Sequence, residues 1–399
     1  HYWRSTLCLQ PELGTLMSNR PLLEQQLLSW RHELHRHPEL SGQEFQTTDK
    51  LKQWLSEYGI ETSTWGLKTG LIADIGTGHP IVAIRADIDA LPIHEEIEQD
   101  FRSTQNGVMH ACGHDLHSST ILGAAILLKA QASELKGTVR VIFQPAEETY
   151  SGAYEVINSG ALEDVSAIFG FHNVPELPLG TFATRSGAFY ANVDRFKIVI
   201  KGKGGHAGRP HETKDPIVVA AQLISAVQTI ASRSINNLDT CVVSITQIHA
   251  GTSWNILPEE AHLEGTVRTH SPEIRLAVEQ KLKQIAQGIA LAHSVEIAVD
   301  WDNGPAALIN TATWTELSQS VARAQGYEVQ EAPLYLIGED FGAYLEQIPG
   351  AFVSIGSASH FGLHHPQYQP NESLIYPAAQ YFAALATQAL ESIHKNAEV

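Results

Sequence analysis

Four short apolar segments, each ending on or leading into a residue that can bind a proton or a cation, constrain this chain more than any other feature. "IVAIRAD" (81–87) closes on Asp87, and "TVRVIFQPAEE" (138–148) closes on Glu147 and Glu148. "AIFGFHNVP" (167–175) carries His172 near its end, and "AFVSIGS" (351–357) leads into "GLHHP" with His364. Continuous apolar runs of this length suit strands buried on both faces. Between them lie helical patterns. Leu23, Leu27, Trp30 and Leu34 mark one from about Pro21 to His37, and "LHSSTILGAAILLKA" (116–130) marks another. Strand and helix in alternation predict an α/β fold with a mostly parallel sheet. Parallel strands finish at one edge, where ligands of such sheets sit. The acids and histidines are therefore expected to meet there.

The pattern changes near residue 188. "VDRFKIVIKGKG" alternates as a half-buried strand does, and "DPIVVAAQLISAVQTIAS" (215–232) reads as a helix. Two more strands, a helix over about 272–293 and the strand "VEIAVDWD" complete the order βαββαβ, a self-contained open-faced sandwich. It is expected as an inserted domain, 188–302, within an outer domain made of 17–187 and 303–399. Residues 1–16 lack the charged, apolar and small-residue parts of a signal peptide and read as a tail or an upstream extension.

Bulk properties narrow the function. A chain of 399 residues exceeds one ordinary core, which agrees with two domains. Lys plus Arg is 26 against 44 for Asp plus Glu, a formal charge of −18. That argues against nucleic acid or an anionic membrane as partner, since both need basic patches, and no apolar run approaches a membrane span. Cys8, Cys112 and Cys241 are scattered and odd in number, which disfavours a disulfide framework and fits a reducing, cytoplasmic setting.

"VMHACGHDLH" (108–117) is the densest cluster of ligand-type residues. A thiolate at Cys112 and an imidazole at His114 can hold a borderline divalent ion or bridge to a second. Alone, the pair is equally a buried cysteine beside surface histidines. Two adjacent glutamates after a strand cost several kcal/mol if buried unpartnered. A cation removes that cost, and the pair can divide the work: one carboxylate ligates and the other moves a proton. Each signal is weak alone, but all fall at the same edge of one sheet. A thiol hydrolase using Cys112 and a non-catalytic relative keeping the fold are the rival classes.

Several motifs carry a resemblance. They are "WRHELHRHPELSGQEF" (30–45), "RADIDALPI" (85–93), "HACGHDLH" (110–117), "PAEE" (145–148), "FHNVP" (171–175), "KGKGGHAGRPH" (201–211), "NILPEEAHLEGTVRTH" (255–270), "GEDF" (338–341) and "LHHP" (363–366). In this order the chain resembles the amidohydrolase branch of the dinuclear-metal aminoacylase/carboxypeptidase family. That branch includes hippurate hydrolases, auxin–amino-acid conjugate hydrolases and N-acetyl-diaminopimelate deacetylases.

The resemblance implies hydrolysis of the amide of an N-acyl amino acid, with a metallo-carboxypeptidase or dipeptidase as the alternative. It implies two divalent ions per subunit, manganese first, with zinc, cobalt or nickel open. Cys112, His114, Glu148, His172 and His364 match metal ligands, with Cys112 as the bridge. Glu147 matches the general base. His206 matches a lid histidine that stabilises the oxyanion in a neighbouring subunit's site, which implies a homodimer or a higher assembly. Asn255 and Arg268 match residues that hold the substrate carboxylate. Asp87 matches an acid behind the ions, although Arg85 stands where the wider family has a histidine ligand. His110, Asp115 and His117 are open between support and surface, and His365 is the neighbour with which His364 could be confused.

Overall fold

A computed structural model describes residues 19–397. The expected tail, 1–16, and Cys8 lie outside the described residues. The chain divides into two compact units. The first runs to Ser186 and takes up Asn310–Ala332 and Tyr344 onward; the second holds Gly187–Ile309 and Pro333–Ala343.

The first unit is built on an eight-stranded sheet. In chain order its strands are β1 (Thr62–Ser63), β2 (Leu71–Gly76), β3 (Ile81–Asp87), β4 (Thr138–Gln144), β5 (Val165–Val174), β6 (Thr181–Thr184), β7 (Glu328–Glu331) and β8 (Gly350–Gly356). Their spatial order is β1-β2-β4-β3-β5-β8-β6-β7. The central four, β4, β3, β5 and β8, are mutually parallel, while antiparallel pairs lie towards the two sides. Every residue of β3, β4 and β8 is buried, the polar Arg85, Asp87, Arg140 and Gln144 included. The register sets Asp87 opposite Gln144 and His172 opposite Ser354, so the carboxyl ends of these strands are level.

Helix α1 (Arg20–Arg36) starts with a proline in its first turn and buries Leu23, Leu27, Trp30 and Leu34 on one stripe. Helix α2 (Phe45–Glu57) stacks Trp54 on Trp30 at 5.3 Å between ring centroids. Helix α3 (His114–Ala130) is buried almost all round, packed between the sheet, α1 and the terminal helix α4 (Ile375–Ala397). Gly123 permits the close approach: a Cβ there would stand 2.7 Å from Leu27 Cδ1 and 2.8 Å from the Ala379 Cβ.

The second unit contains a four-stranded antiparallel sheet. Its strands are Asn192–Lys201, Cys241–Ala250, Glu260–Thr269 and Glu296–Asn303, with the first and third in the middle. Helices Pro216–Thr229 and Pro272–His293 share one core with the sheet through Val219, Leu223, Val278 and Leu282. The order of these elements along the chain is βαββαβ. One helix, Pro216–Ser234, does reach the length and apolarity of a membrane span, at 19 residues and mean hydropathy 1.2. It reaches them because its run contains Gln, Ser and Thr but no charge before Arg233, and its inner stripe packs on the sheet.

Candidate metal centre

The level carboxyl edge of the first unit's parallel strands brings the predicted residues together. Asp87 ends β3, Glu147 and Glu148 follow β4, His172 lies near the end of β5, and His364 follows β8. Cys112 and His114 arrive on the turn that opens α3. Gly113, between them, sits at φ 84°, and a Cβ at this position would run into the Asn173 side-chain amide. Glycine is therefore required between the two ligand-type residues. Two further residues take left-handed backbone without being glycine: Ala146 at φ 51° before the glutamates, and His364 at φ 64°. Each is held from outside. Glu44, fully buried, accepts the Ala146 N–H at 2.8 Å. The His364 N–H donates to the Ala111 carbonyl at 2.8 Å.

The donor atoms fall into overlapping triads. Cys112, His114 and His172 offer atoms within 4.8 Å of one another, and so do Cys112, Glu148 and His364. Cys112 belongs to both. A third group joins His114, Glu147 and Glu148. Individual spans agree: Cys112 Sγ to His172 Nε2 is 3.4 Å, His364 Nε2 to Glu148 Oε1 is 3.4 Å, and His114 Nε2 to Glu148 Oε1 is 3.6 Å. Separations of 3–4 Å between donors suit atoms ligating a common ion.

Proton positions prepare the imidazoles. His172 Nδ1 donates to the Asn173 carbonyl at 2.7 Å, which leaves the Nε2 lone pair facing Cys112. His114 Nδ1 faces Asp89 at 3.0 Å, and its buried Nε2 has no hydrogen-bond partner. Glu148 Oε1 is equally buried and has no hydrogen-bond partner. Two orphaned buried atoms aimed into a set of sulfur, nitrogen and oxygen donors fit two divalent ions well.

The electrostatics agree. Burial disfavours the His114 imidazolium, yet Asp87, Asp89 and Glu148 outweigh it and push its pKa up to about 10. Burial, then Glu148, Glu147 and Asp87, push the Cys112 thiol well up. The same field that retains protons attracts cations, and cations at the thiol reverse its preference. Burial lowers His172 to about 4, which keeps it in the neutral, ligating form.

Asp87 is buried beside this set, with Oδ2 3.5 Å from His114 Nε2. It accepts from His117 Nδ1 at 2.7 Å and from Arg85 at 3.1 Å. His117 is therefore support and not surface: its Nε2 accepts from the Asn173 N–H at 3.1 Å. Asp115 is buried too and is paired with Arg31 at 2.9 Å, while His110 is buried with neither ring nitrogen hydrogen-bonded. His365 turns its Nδ1 to the Gln367 N–H at 3.0 Å and stacks on Phe361, whereas His364 joins the triad.

The sequence reading missed three supports. Asp89 contacts both His114 and the Glu148 backbone. Asn173 donates to the Cys112 carbonyl at 2.9 Å and accepts from Ser357 and Tyr368. Glu44 holds the glutamate turn. The Asp-x-Asp spacing was the available signal for Asp89, because residues i and i+2 of extended chain share a side.

His206, Asn255 and Arg268 lie in the second unit. His206 and Asn255 are neighbours, since the Ala207 N–H donates to the Asn255 carbonyl at 3.1 Å. His206 Nδ1 accepts the Gly208 N–H at 3.0 Å, so the neutral ring carries its proton on Nε2. Arg268 gives Nη1 to the Leu336 carbonyl at 3.1 Å and Nε to Thr266 at 3.2 Å.

A second buried network braces the α3 turn. Both His35 nitrogens face carboxylates, Asp115 at 2.9 Å and Glu95 at 3.0 Å. Both must donate, so His35 is an imidazolium. Burial opposes that charge, but Asp115 and Glu95 prevail and raise its pKa above the usual 6.5. Its stabilisation is complete below about 6.5 and is lost as pH rises through the raised folded value. His35→Gln is expected to lose about 3–5 kcal/mol, as for one member of a buried ion pair. Urea unfolding of both metal-stripped proteins should show the gap shrinking at alkaline pH; a gap that widens excludes the imidazolium.

The comparisons with known proteins point the same way. The pattern of peptidase family M20/M25/M40 matches residues 83–388. An N-acetylcysteine deacetylase of Bacillus subtilis (strain 168) is 48% identical over 370 residues, covering 92% of this chain and 97% of that protein. An N-acetyldiaminopimelate deacetylase of Priestia megaterium is 38% identical, covering 89% and 96%. Among solved structures, a dinuclear metal-binding M20 peptidase of Bacillus subtilis superposes with a TM-score of 0.86 at 44% identity, covering 94% and 99%.

Proposed function

The chain belongs to peptidase family M20/M25/M40, and from that premise we propose a metal-dependent amidohydrolase that cleaves N-acyl amino acids to a carboxylic acid and a free amino acid. Among acyl groups we place acetyl ahead of benzoyl or indole-acetyl, because similar proteins are named as deacetylases of acetylated amino acids. One observation carries the metal dependence: two ligand triads overlap on Cys112. Cys112, His114, Glu148, His172 and His364 are the ligands. Manganese is the first choice of metal, and zinc, cobalt and nickel suit the same mixed donors.

When bound, the ions supply Lewis acidity and lower the pKa of a water to about 7. The remaining work falls to side chains. Glu147 is 5% exposed, with Oε2 3.9 Å from His114 Nε2, at the border of the ligand set. There it takes the proton of the attacking water and returns it to the leaving nitrogen. Glu148, its neighbour, is occupied as a ligand, so the two carboxylates do not exchange roles. The oxyanion donor is His206, reaching the site of a neighbouring subunit; its Nε2–H is set by the Gly208 contact. Asn255 and Arg268 are assigned to the substrate carboxylate. Asp87 keeps His117 and Arg85 in place behind the ligands.

A homodimer through the second unit is supported by Ile217 and Val218, exposed on its apolar helix, and by the strand Cys241–Ala250, which lies at a sheet edge. A monomer in sedimentation at assay concentration removes that part. The free thiols of Cys112 and Cys241 suit a cytoplasmic setting, which cell fractionation checks.

The testing experiment strips the protein with a chelator, restores manganese, and assays N-acetyl, benzoyl and indole-acetyl amino acids beside dipeptides. Release of free amino acid from the N-acetyl substrates, lost on chelation and regained with metal, is expected. Activity indifferent to chelation overturns the proposal and favours a thiol hydrolase.

A further inference from the structure

Trp254, in the second unit, is 93% exposed. Single apolar residues on a surface are ordinary, but a bare tryptophan among further exposed apolar side chains marks a contact site. Ile256 is 57% exposed and Ile248 51%. Neighbours fix where Trp254 stands. Gly205–His206 and Ile256–Leu257 form an antiparallel pair with His206 opposite Ile256, so those two side chains share a face. The Ala207 N–H donates to the Asn255 carbonyl at 3.1 Å. The Ser253 hydroxyl donates to Asn255 Oδ1 at 2.8 Å, which leaves the Asn255 NH2 group to donate. His206, Asn255 and Trp254 are thus carried on one ribbon. Ile217, on the helix that supports the homodimer, has its Cδ1 3.8 Å from where a Cβ on Gly251 would stand. The turn that bears Trp254 therefore continues the surface offered to a neighbouring subunit.

We propose that Trp254 is a specificity-determining residue that covers the amino-acid side chain of a substrate bound in the neighbouring subunit, and that the favoured substrates are N-acyl derivatives of apolar amino acids. Connectivity selects the side chain over the acyl group. In an N-acyl amino acid the carboxylate and the side chain branch from one carbon, while the acyl group lies beyond the amide. Asn255 is assigned to the carboxylate and His206 to the oxyanion on the acyl carbon. The residue next to Asn255 is placed for the side chain. An indole brings a broad apolar face to that contact, so an apolar side chain gains most from it.

This inference rests on the roles proposed above for His206 and Asn255. Its test compares kcat/KM for N-acetyl-leucine and N-acetylglycine in metal-loaded protein, with sedimentation of each variant. The parent is expected to favour leucine. Trp254→Ala should lower the leucine-to-glycine ratio by about 10-fold or more, the range for a lost apolar contact, mostly through KM. It should leave kcat for N-acetylglycine and the acetyl-to-propionyl preference on leucine near parental. A merely structural loss lowers all substrates together and keeps the ratio. A parental ratio in a dimeric Trp254→Ala, or a parent indifferent to leucine, overturns the proposal. Should Trp254→Ala sediment as a monomer, Trp254→Leu replaces it, and the ratio must still fall. A parental ratio there, or a second monomer, assigns Trp254 to the subunit contact and overturns the substrate role. A parent that hydrolyses no N-acyl amino acid removes the proposed function as well, a result distinct from failure of Trp254 alone.

Discussion

Replacing Glu147 by glutamine should lower kcat by about 10²- to 10⁴-fold, the usual contribution of a general acid–base group, while two ions stay bound. The amide keeps the shape and one acceptor oxygen but cannot take a proton. Glu147 and Glu148 are adjacent in sequence, so the contrast with Glu148→Gln separates proton transfer from ligation. Glu148 offers an oxygen to two of the overlapping groups, whereas Glu147 is absent from both triads that contain Cys112. Glu148→Gln should therefore lose metal as well as rate. Metal analysis beside steady-state kinetics reads both effects. A Glu147→Gln protein with parental kcat, or one that has lost its ions, contradicts the assignment.

Cys112→Ala should be more severe for binding. The sulfur is the one atom common to the triads that end on His172 and on His364. On the proposed ligand set its removal would take a ligand from each ion and leave Glu147, Glu148 and Asp87 in a buried space with less positive charge to balance them. Affinity for both ions should fall by more than about 100-fold, since loss of a direct ligand exceeds loss of an outer partner. Activity should fall with it. A bland cysteine, packed as a small apolar residue, predicts parental metal content instead. The thiol is 7% exposed and, without cations, is held in its protonated form by burial and by the neighbouring carboxylates. It is therefore poorly prepared to act as a free nucleophile, and calorimetric metal titration of Cys112→Ala distinguishes the two roles.

Much of this was legible in the chain because its signals are local. The runs ending at Asp87, Gln144 and Val174 predict buried parallel strands, and strand polarity alone then gathers their end residues at one edge. The alternation in "VDRFKIVIKGKG" likewise announces a half-exposed strand, and the structure shows alternating burial over Asn192–Lys201. The supports were harder to see, because each depends on a contact between distant positions. Glu44 meets Ala146 across 102 residues, and Asn173 meets Tyr368 across 195. Neither residue type advertises such a role, since a Glu near a helix start and an Asn near a strand end are ordinary surface choices. His117 was undecidable for a similar reason. One turn of α3 puts it below His114, but only the Asp87 carboxylate and the Asn173 amide show that it faces inward.

Anomalous diffraction from crystals of the metal-loaded protein tests the shared thiolate most directly. Two peaks are expected in each chain, both within about 2.5 Å of Cys112 Sγ, one also bonded to His172 and the other to His364. A single peak, or a pair of which either lies beyond bonding distance of the sulfur, contradicts a centre bridged by Cys112.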